Sequence, residues 1–129
     1  MTTLLKMQDI KRHYDTPAGV VKALDGVSIE IKEGERVVLL GPSGSGKTTL
    51  LNCFSALDSP TGGSYTFMGT EVPRNHSEQM TSFRREHIGY VFQFFNLLQD
   101  LTVLENILLI QELSGNKDSQ RAKELLTLV

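Results

Sequence analysis

The sequence predicts an α/β fold that opens with an antiparallel β subdomain, and three observations predict it. The first third carries short runs such as "VSIEI", in which apolar and polar residues alternate as they do along a half-buried strand. A glycine-rich segment, "GPSGSGKTT" at residues 41–49, joins an apolar run to a helical pattern. The last third, from Thr102 onward, holds two helix-periodic stretches, "TVLENILLIQEL" and "KDSQRAKELLTLV", separated by "SGN".

In chain order, residues 4–8, 20–24 and 27–31 read as strands, with a turn around residues 15–19. Residues 35–40 read as a further strand after the turn "KEGE", and a helix of about residues 46–56 follows the glycines. "DSPTGG" is a loop, residues 64–68 a strand, and Gly69 turns the chain toward Glu71 and Val72. "SEQMTSFRREH" has a helical pattern with Ser77 as its expected N-cap, and "IGYVFQ" returns to strand. Thr102 and Glu105 have the spacing of a capping box, which sets the start of the next helix. The sequence has no repeat and no low-complexity segment.

The segment at residues 41–49 carries the chemistry. Gly41, four residues, then Gly46, Lys47 and Thr48 satisfy the pattern of a phosphate-binding loop, in the strand-to-helix context that such a loop requires. Gly41, Gly44 and Gly46 lack Cβ atoms, so with Ser43 and Ser45 between them the backbone can turn successive N–H groups inward around an anion. A helix starting near Gly46 would aim its free amides and positive dipole end at the same phosphates. Lys47 would reach the outer phosphates, and Thr48 offers a hydroxyl to Mg²⁺, a hard ion that prefers oxygen. Thr49 joins them at the first turn of the helix.

The chain has 129 residues, enough for one domain with a real core. Its 13 basic and 15 acidic residues leave a net charge of −2, which excludes a global field that attracts nucleic acid or an anionic membrane. The longest apolar runs fall far short of the roughly 20 residues that span a bilayer. The first residues lack the apolar core of a signal peptide, so a soluble, cytoplasmic protein is expected. Cys53 is the one cysteine, which excludes an internal disulfide, and it reads as a buried packing residue. His13, His76 and His87 are too scattered in sequence to suggest a metal site.

The segments "ALDGVSIEIKEGE", "GPSGSGKTTLLN", "LDSPTGGSYTFMG" and "FRREHIGYVFQFFNLLQDLTVLENI" together resemble the N-terminal half of an ABC-transporter ATP-binding domain, of the type serving lipoprotein release and macrolide export. The resemblance covers nearly the whole chain. It implies a phosphate-loop nucleoside-triphosphatase core with an N-terminal antiparallel β subdomain and the start of a helical subdomain, an incomplete domain. It divides the chain into a β subdomain and loop core at about residues 1–93 and a helical start at about residues 93–129. It implies that Tyr14 stacks on adenine, a role suited to a planar ring. It further implies that Gln93 approaches Mg²⁺ and the attacking water, making Lys47 and Gln93 the catalytic residues and Thr48 and Gln93 the metal-facing ones. ATP and Mg²⁺ are the cofactors implied.

The departures from the family pattern bear on activity. "ILLIQE" imitates the family's Asp–Glu strand, but Gln111 stands where the metal-binding Asp belongs, and Glu112 is expected on a helix. "LSGNK" at residues 113–117 imitates the signature, but Asn116 and Lys117 replace its glycine and glutamine, so it reads as a turn between helices. The family's late histidine matches nothing up to Val129. This chain is therefore expected to bind MgATP without turning it over, while the full protein would be an ATPase. The alternative is a non-catalytic nucleotide-binding module that competes with an intact subunit. A small kinase or GTPase is disfavoured because Asp-x-x-Gly after the loop and Asn-Lys-x-Asp are both missing.

The resemblance also implies partners: a membrane permease, and a second ATP-binding domain in a homodimer, with the chain peripheral on the inner face of the membrane. In "FFNLLQDLTVLENILL", Phe92, Leu97, Leu101 and Leu104 are expected to pack in the core, and Phe94 and Phe95 to face the permease. Arg84 and Arg85 read as a solvated helix face.

Overall fold

The structure is a computed structural model that describes residues 2–92, 94–113, 115 and 117–129. It comprises two compact units, Met1–Ile88 and Gly89–Val129.

The first unit is built on a long hairpin. Strands β1 (Thr3–Thr16) and β2 (Gly19–Lys32) run antiparallel around a two-residue turn at Pro17 and Ala18, where Thr16 faces Gly19. The shorter runs read as separate strands are thus parts of two continuous ones, interrupted by bulges rather than by turns. One bulge explains the pattern. Strict alternation would put Leu5, Met7 and Asp9 on one face, but Asp9 has φ 51° and the register shifts between Met7 and Ile10. The extra residue restores the phase, so Met7 and Ile10 both point inward, 1% and 0% exposed.

Strands β3 (Gly62–Phe67) and β4 (Thr70–Glu71) complete an antiparallel sheet of order β2-β1-β3-β4. Helices α1 (Lys47–Phe54) and α2 (Ser77–His87) belong to the same unit. Met7, Ile10 and Leu24 from the hairpin, Leu50, Cys53 and Ala56 in and just after α1, Tyr65 from β3 and Met80 and Phe83 from α2 form one buried cluster. Polar groups fix the helix ends. The Tyr65 hydroxyl donates to the Phe54 carbonyl at 2.7 Å, and the Arg84 guanidinium donates to the Ala56 carbonyl at 2.6 Å. Phe67 and Phe83 meet edge to face with ring centroids 5.4 Å apart.

Two expectations are corrected here. Residues 35–40 and 89–92 are not strands: neither belongs to the sheet, and Val38, Leu40 and Val91 are 78%, 85% and 97% exposed. An apolar run becomes a strand only when a neighbouring strand takes its amides and carbonyls, so the run by itself does not decide the matter. Ser77 is the first residue of α2, not its cap; His76 holds the N-cap position and makes no side-chain capping bond.

In the second unit, α3 (Val103–Leu113) and α4 (Ser119–Leu128) pack on each other, with Ala122 fully buried. The capping box forms as read. Thr102 N–H donates to Glu105 Oε1 at 2.9 Å, and Glu105 N–H donates to Thr102 Oγ1 at 3.1 Å. The Thr102 N–H foremost, and the Thr102 side chain after it, favour the ionised carboxylate and hold Glu105 below the usual glutamate range. Asn106 ties the preceding segment down: its Oδ1 accepts from Leu98 N–H at 2.8 Å and its amide donates to the Leu98 and Thr102 carbonyls. Asp118 caps α4 by accepting from Arg121 N–H at 3.0 Å.

Candidate functional site: the glycine loop and the start of α1

The apolar run at residues 37–40 leads into Gly41, and the chain then tightens. Ser45 N–H donates to the Pro42 carbonyl at 3.2 Å, closing a turn over Ser43 and Gly44, with Gly44 at φ 82°. Gly46 takes the N-cap position of α1 in the left-handed region, φ 93° and ψ 8°. It has no side chain to cap the helix, and the first turn carries no acidic residue. The opening amides of α1 and its positive dipole end are therefore left for a ligand to satisfy.

Gly46 is required by space as well as by angle. A Cβ at this position would lie 2.7 Å from the Ala23 carbonyl oxygen and 3.4 Å from Leu24 Cδ2. The start of α1 thus rests directly on the backbone of β2. Between them lies an open cavity of about 540 Å³, lined by Ser43, Gly44, Gly46, Lys47, Thr48 and Thr49 and, across from them, by Val21, Lys22 and Ala23. Lys47 folds back over the loop, its ammonium donating to the Gly41 carbonyl. Gly41 and Ser45 do not line the cavity and lie against each other: the Ser45 hydroxyl oxygen is 2.8 Å from where a Gly41 Cβ would be.

Six of the eight loop residues expected to meet phosphate therefore line one cavity. Val21, Lys22 and Ala23 were not legible as part of it, because only the packing of α1 on β2 brings them there. Lys22 is thus a lining residue contributed by β2. The cavity suits a polyphosphate: glycine backbone that can approach an anion closely, an uncapped helix start, lysine charge, and the Thr48 hydroxyl for a hard cation. Among the described residues, no cluster of three His, Cys, Asp or Glu could hold a metal on protein ligands alone. A cation here would need the ligand's own oxygens beside Thr48.

Tyr14 stands next to this cavity in the sheet, opposite Val21, without lining it. Its hydroxyl donates to Asp58 Oδ2 at 2.9 Å, and the Arg12 guanidinium lies over its ring, 4.2 Å from the centroid. Arg12 Nε donates to the same Asp58 oxygen at 2.8 Å. Partial burial and the hydrogen bond to Asp58 raise the Tyr14 phenol above its ordinary value. Burial would raise the Asp58 carboxyl, but the bonds from Arg12 and Tyr14 outweigh it and hold it below the usual range.

Gln93 lies outside the described residues. Gln111 and Glu112 are both on α3, and Gln111 is engaged locally, its Oε1 accepting from Asp118 N–H at 2.9 Å. In the segment before α3, Phe94 and Phe95 are 81% and 72% exposed, and Phe95 and Asn96 take positive φ. Phe92 and Leu97, expected in the core, are 44% and 61% exposed, whereas Leu101 and Leu104 are half-buried. Phe92 stacks on Tyr90 with centroids 5.6 Å apart, a pairing that uses part of its apolar surface without burying it.

Fold and cavity together define an α/β domain of the phosphate-loop class. The chain belongs to the ABC transporter family, which it matches over residues 24–129. It is 44% identical to an uncharacterised ABC transporter ATP-binding protein of Thermotoga maritima, aligned over 100% of this chain and 56% of that protein. It is 40% identical to the lipoprotein-releasing system ATP-binding protein LolD of Geobacter metallireducens, over 98% of this chain and 57% of LolD. It is also 40% identical to the macrolide export ATP-binding/permease protein MacB of Escherichia coli K12, over 98% of this chain and 20% of MacB. Its fold is similar to that of the ATP-binding cassette MJ0796 in a dimeric, post-hydrolysis state with ADP and Pi. That similarity has a TM-score of 0.84 at 36% identity, covering 96% of this chain and 56% of the cassette. The chain thus spans just over half the length of LolD and of the Thermotoga protein.

Proposed function

We propose that the chain is the nucleotide-binding portion of an ABC transporter ATP-binding subunit, and that residues 41–49 hold the phosphates of MgATP. The observation that carries this is the uncapped start of α1, seated on β2 by Gly46 and facing the cavity with Lys47, Thr48 and Thr49. Lys47 would leave the Gly41 carbonyl for the outer phosphates, replacing a neutral acceptor with a charged one. Thr48 would supply a hydroxyl to Mg²⁺, which neutralises phosphate charge when bound. Tyr14 would take the adenine on its free ring face, beside the Val21 end of the cavity. Gln93 would complete the metal and water side.

The chain binds MgATP in this reading and does not turn it over. Hydrolysis also calls for a carboxylate base beside the water, and Glu112, the residue that imitates it in sequence, is committed to α3. In the whole protein, hydrolysis would require a second ATP-binding domain in a homodimer, and would drive export or lipoprotein release through a membrane permease. Phe94 and Phe95, both exposed, are the proposed permease contacts, which makes the subunit peripheral on the cytoplasmic face. Among the described residues, no helix is long and apolar enough to cross a membrane.

The test is titration of the 129-residue chain with a fluorescent ATP analogue in Mg²⁺, alongside a phosphate-release assay. Saturable binding that weakens at least about tenfold in Lys47→Ala, the loss of roughly one charge-assisted contact, is expected, with no steady release of phosphate. Binding that ignores Lys47→Ala would remove the loop from the reading. Lys47-dependent turnover would remove the claim of inactivity.

A further inference from the structure

We propose that Asp58 and Arg12 are positioning residues for Tyr14, holding its ring at one orientation so that a planar base meets a single open face. This rests on the proposed role of Tyr14 at the adenine, and it assigns the two side chains that would make that role specific.

Asp58 lies beyond the C-terminal end of α1, and the helix and its own turn fix it. Its N–H donates to the Asn52 carbonyl at 3.1 Å, and its Oδ1 accepts from Ser59 N–H at 2.9 Å. Its other oxygen, Oδ2, accepts from Tyr14 and from Arg12, so one anchored carboxylate holds both the phenol end of the ring and the cation covering it. Arg12 is held a second time, Nη1 to Thr61 Oγ1 at 3.4 Å, while Thr61 Oγ1 accepts from His13 N–H at 2.9 Å. Although the register of β1 shifts between Arg12 and His13, the two side chains lie on one side of the strand, since both reach the same Asp58 oxygen.

The consequence is geometric. A free tyrosine on an exposed strand end turns about two side-chain torsions. Here the hydroxyl is fixed at one end, the backbone at the other, and the guanidinium closes one face at 4.2 Å. A base that stacks must use the remaining face and need not order the ring first, which is the benefit of preorganisation. Asp58 thereby connects the far end of α1, whose first turn lines the phosphate cavity, to the side chain beside that cavity's β2 wall. The arrangement gives the base contact and the phosphate contact a common frame.

The experiment compares MgATP with inorganic tripolyphosphate plus Mg²⁺, ligands that share the phosphates and differ in the base. Calorimetric affinities are measured for the unmodified 129-residue chain, Asp58→Ala, Asp58→Asn, Tyr14→Ala and the double variant Asp58→Ala/Tyr14→Ala. Asp58→Ala is expected to weaken MgATP about three- to tenfold while leaving tripolyphosphate unchanged. Asp58→Asn, which keeps an acceptor oxygen, should fall between. The double variant should bind MgATP no more weakly than Tyr14→Ala alone, since both changes remove one function.

Equal losses for both ligands in Asp58→Ala would show general loosening and overturn the proposal. So would full additivity, or tighter MgATP binding, which would mean that Asp58 holds the ring away from the base. If Tyr14→Ala itself leaves the preference for MgATP over tripolyphosphate unchanged, the adenine role of Tyr14 fails, and the positioning role fails with it. Retained tripolyphosphate binding in Asp58→Asn keeps the test valid where Asp58→Ala does not fold.

Discussion

Replacing Gly46 by alanine tests whether the proposed phosphate cavity depends on the seat of α1 against β2. Gly44→Ala is its internal control. Both glycines sit at positive φ, 82° and 93°, but a Cβ at Gly44 meets nothing within 4 Å, while at Gly46 it lies 2.7 Å from the Ala23 carbonyl oxygen. The left-handed conformation costs an alanine about 1–2 kcal/mol, and the loss of glycine's freedom in the unfolded chain offsets about 0.4–1 kcal/mol of that. Gly44→Ala should therefore cost about 1 kcal/mol. At Gly46 the neighbour that must yield is backbone, so the helix start and β2 have to separate, adding the roughly 1–3 kcal/mol of an overpacked contact. The total is about 2–4 kcal/mol. At roughly 4–8 °C per kcal/mol for a unit of this size, Gly44→Ala should lower the melting midpoint by about 4–8 °C and Gly46→Ala by at least about 8 °C and up to about 30 °C. Circular-dichroism melts with urea titrations at one temperature provide the measurement. Equal shifts for the two variants would refute the claim that the Ala23 contact constrains the loop.

The other predictions concern groups whose environments the fold sets. Tyr65→Phe removes the donor to the Phe54 carbonyl, and should cost about 1–2 kcal/mol in urea unfolding; a cost near zero would mean that water replaces the hydroxyl. Asp58 has a folded-state pKa below its ordinary value of 3.8, so its stabilising contribution is present above that value and is lost as pH falls through the lower, folded one. The stability difference between the parent chain and Asp58→Asn should accordingly be constant at neutral pH and shrink below about pH 4, as read by urea midpoints across pH. Burial pushes the Cys53 thiol up to about 11, and it is 1% exposed. It should therefore resist thiol reagents at pH 8 in the native chain and react at once in denaturant. Rapid native labelling would show that α1 opens.

The loop at residues 41–49, the capping box at Thr102 and Glu105, the burial of Cys53 and the start of α3 are all legible in the sequence. Each depends on residues within a few positions of one another, so spacing carries the information. Six of the expected loop residues meet in one cavity for the same reason: a glycine turn and the helix it opens form a continuous piece of chain. The cap of α2 falls at His76, one residue before the expected Ser77, within the range over which local signals compete at a helix start.

Other features depend on contacts between distant segments. The bulge at Asp9 that turns Ile10 inward arises from pairing β1 with β2 and β3, and no composition rule places it. Residues 35–40 have the apolar character of a strand and lack the ladder, since main-chain hydrogen bonds come from a neighbour and not from the run itself. Val21, Lys22 and Ala23 reach the cavity only because Gly46 lets α1 rest on β2. Arg12, Tyr14 and Asp58, separated by up to 46 residues, converge because the hairpin and the end of α1 share one core. The sequence by itself determined the glycine turn and helix start proposed to cradle phosphate, through backbone freedom and residue spacing. Tertiary structure decided what surrounds that segment, because burial and pairing are properties of two surfaces brought together.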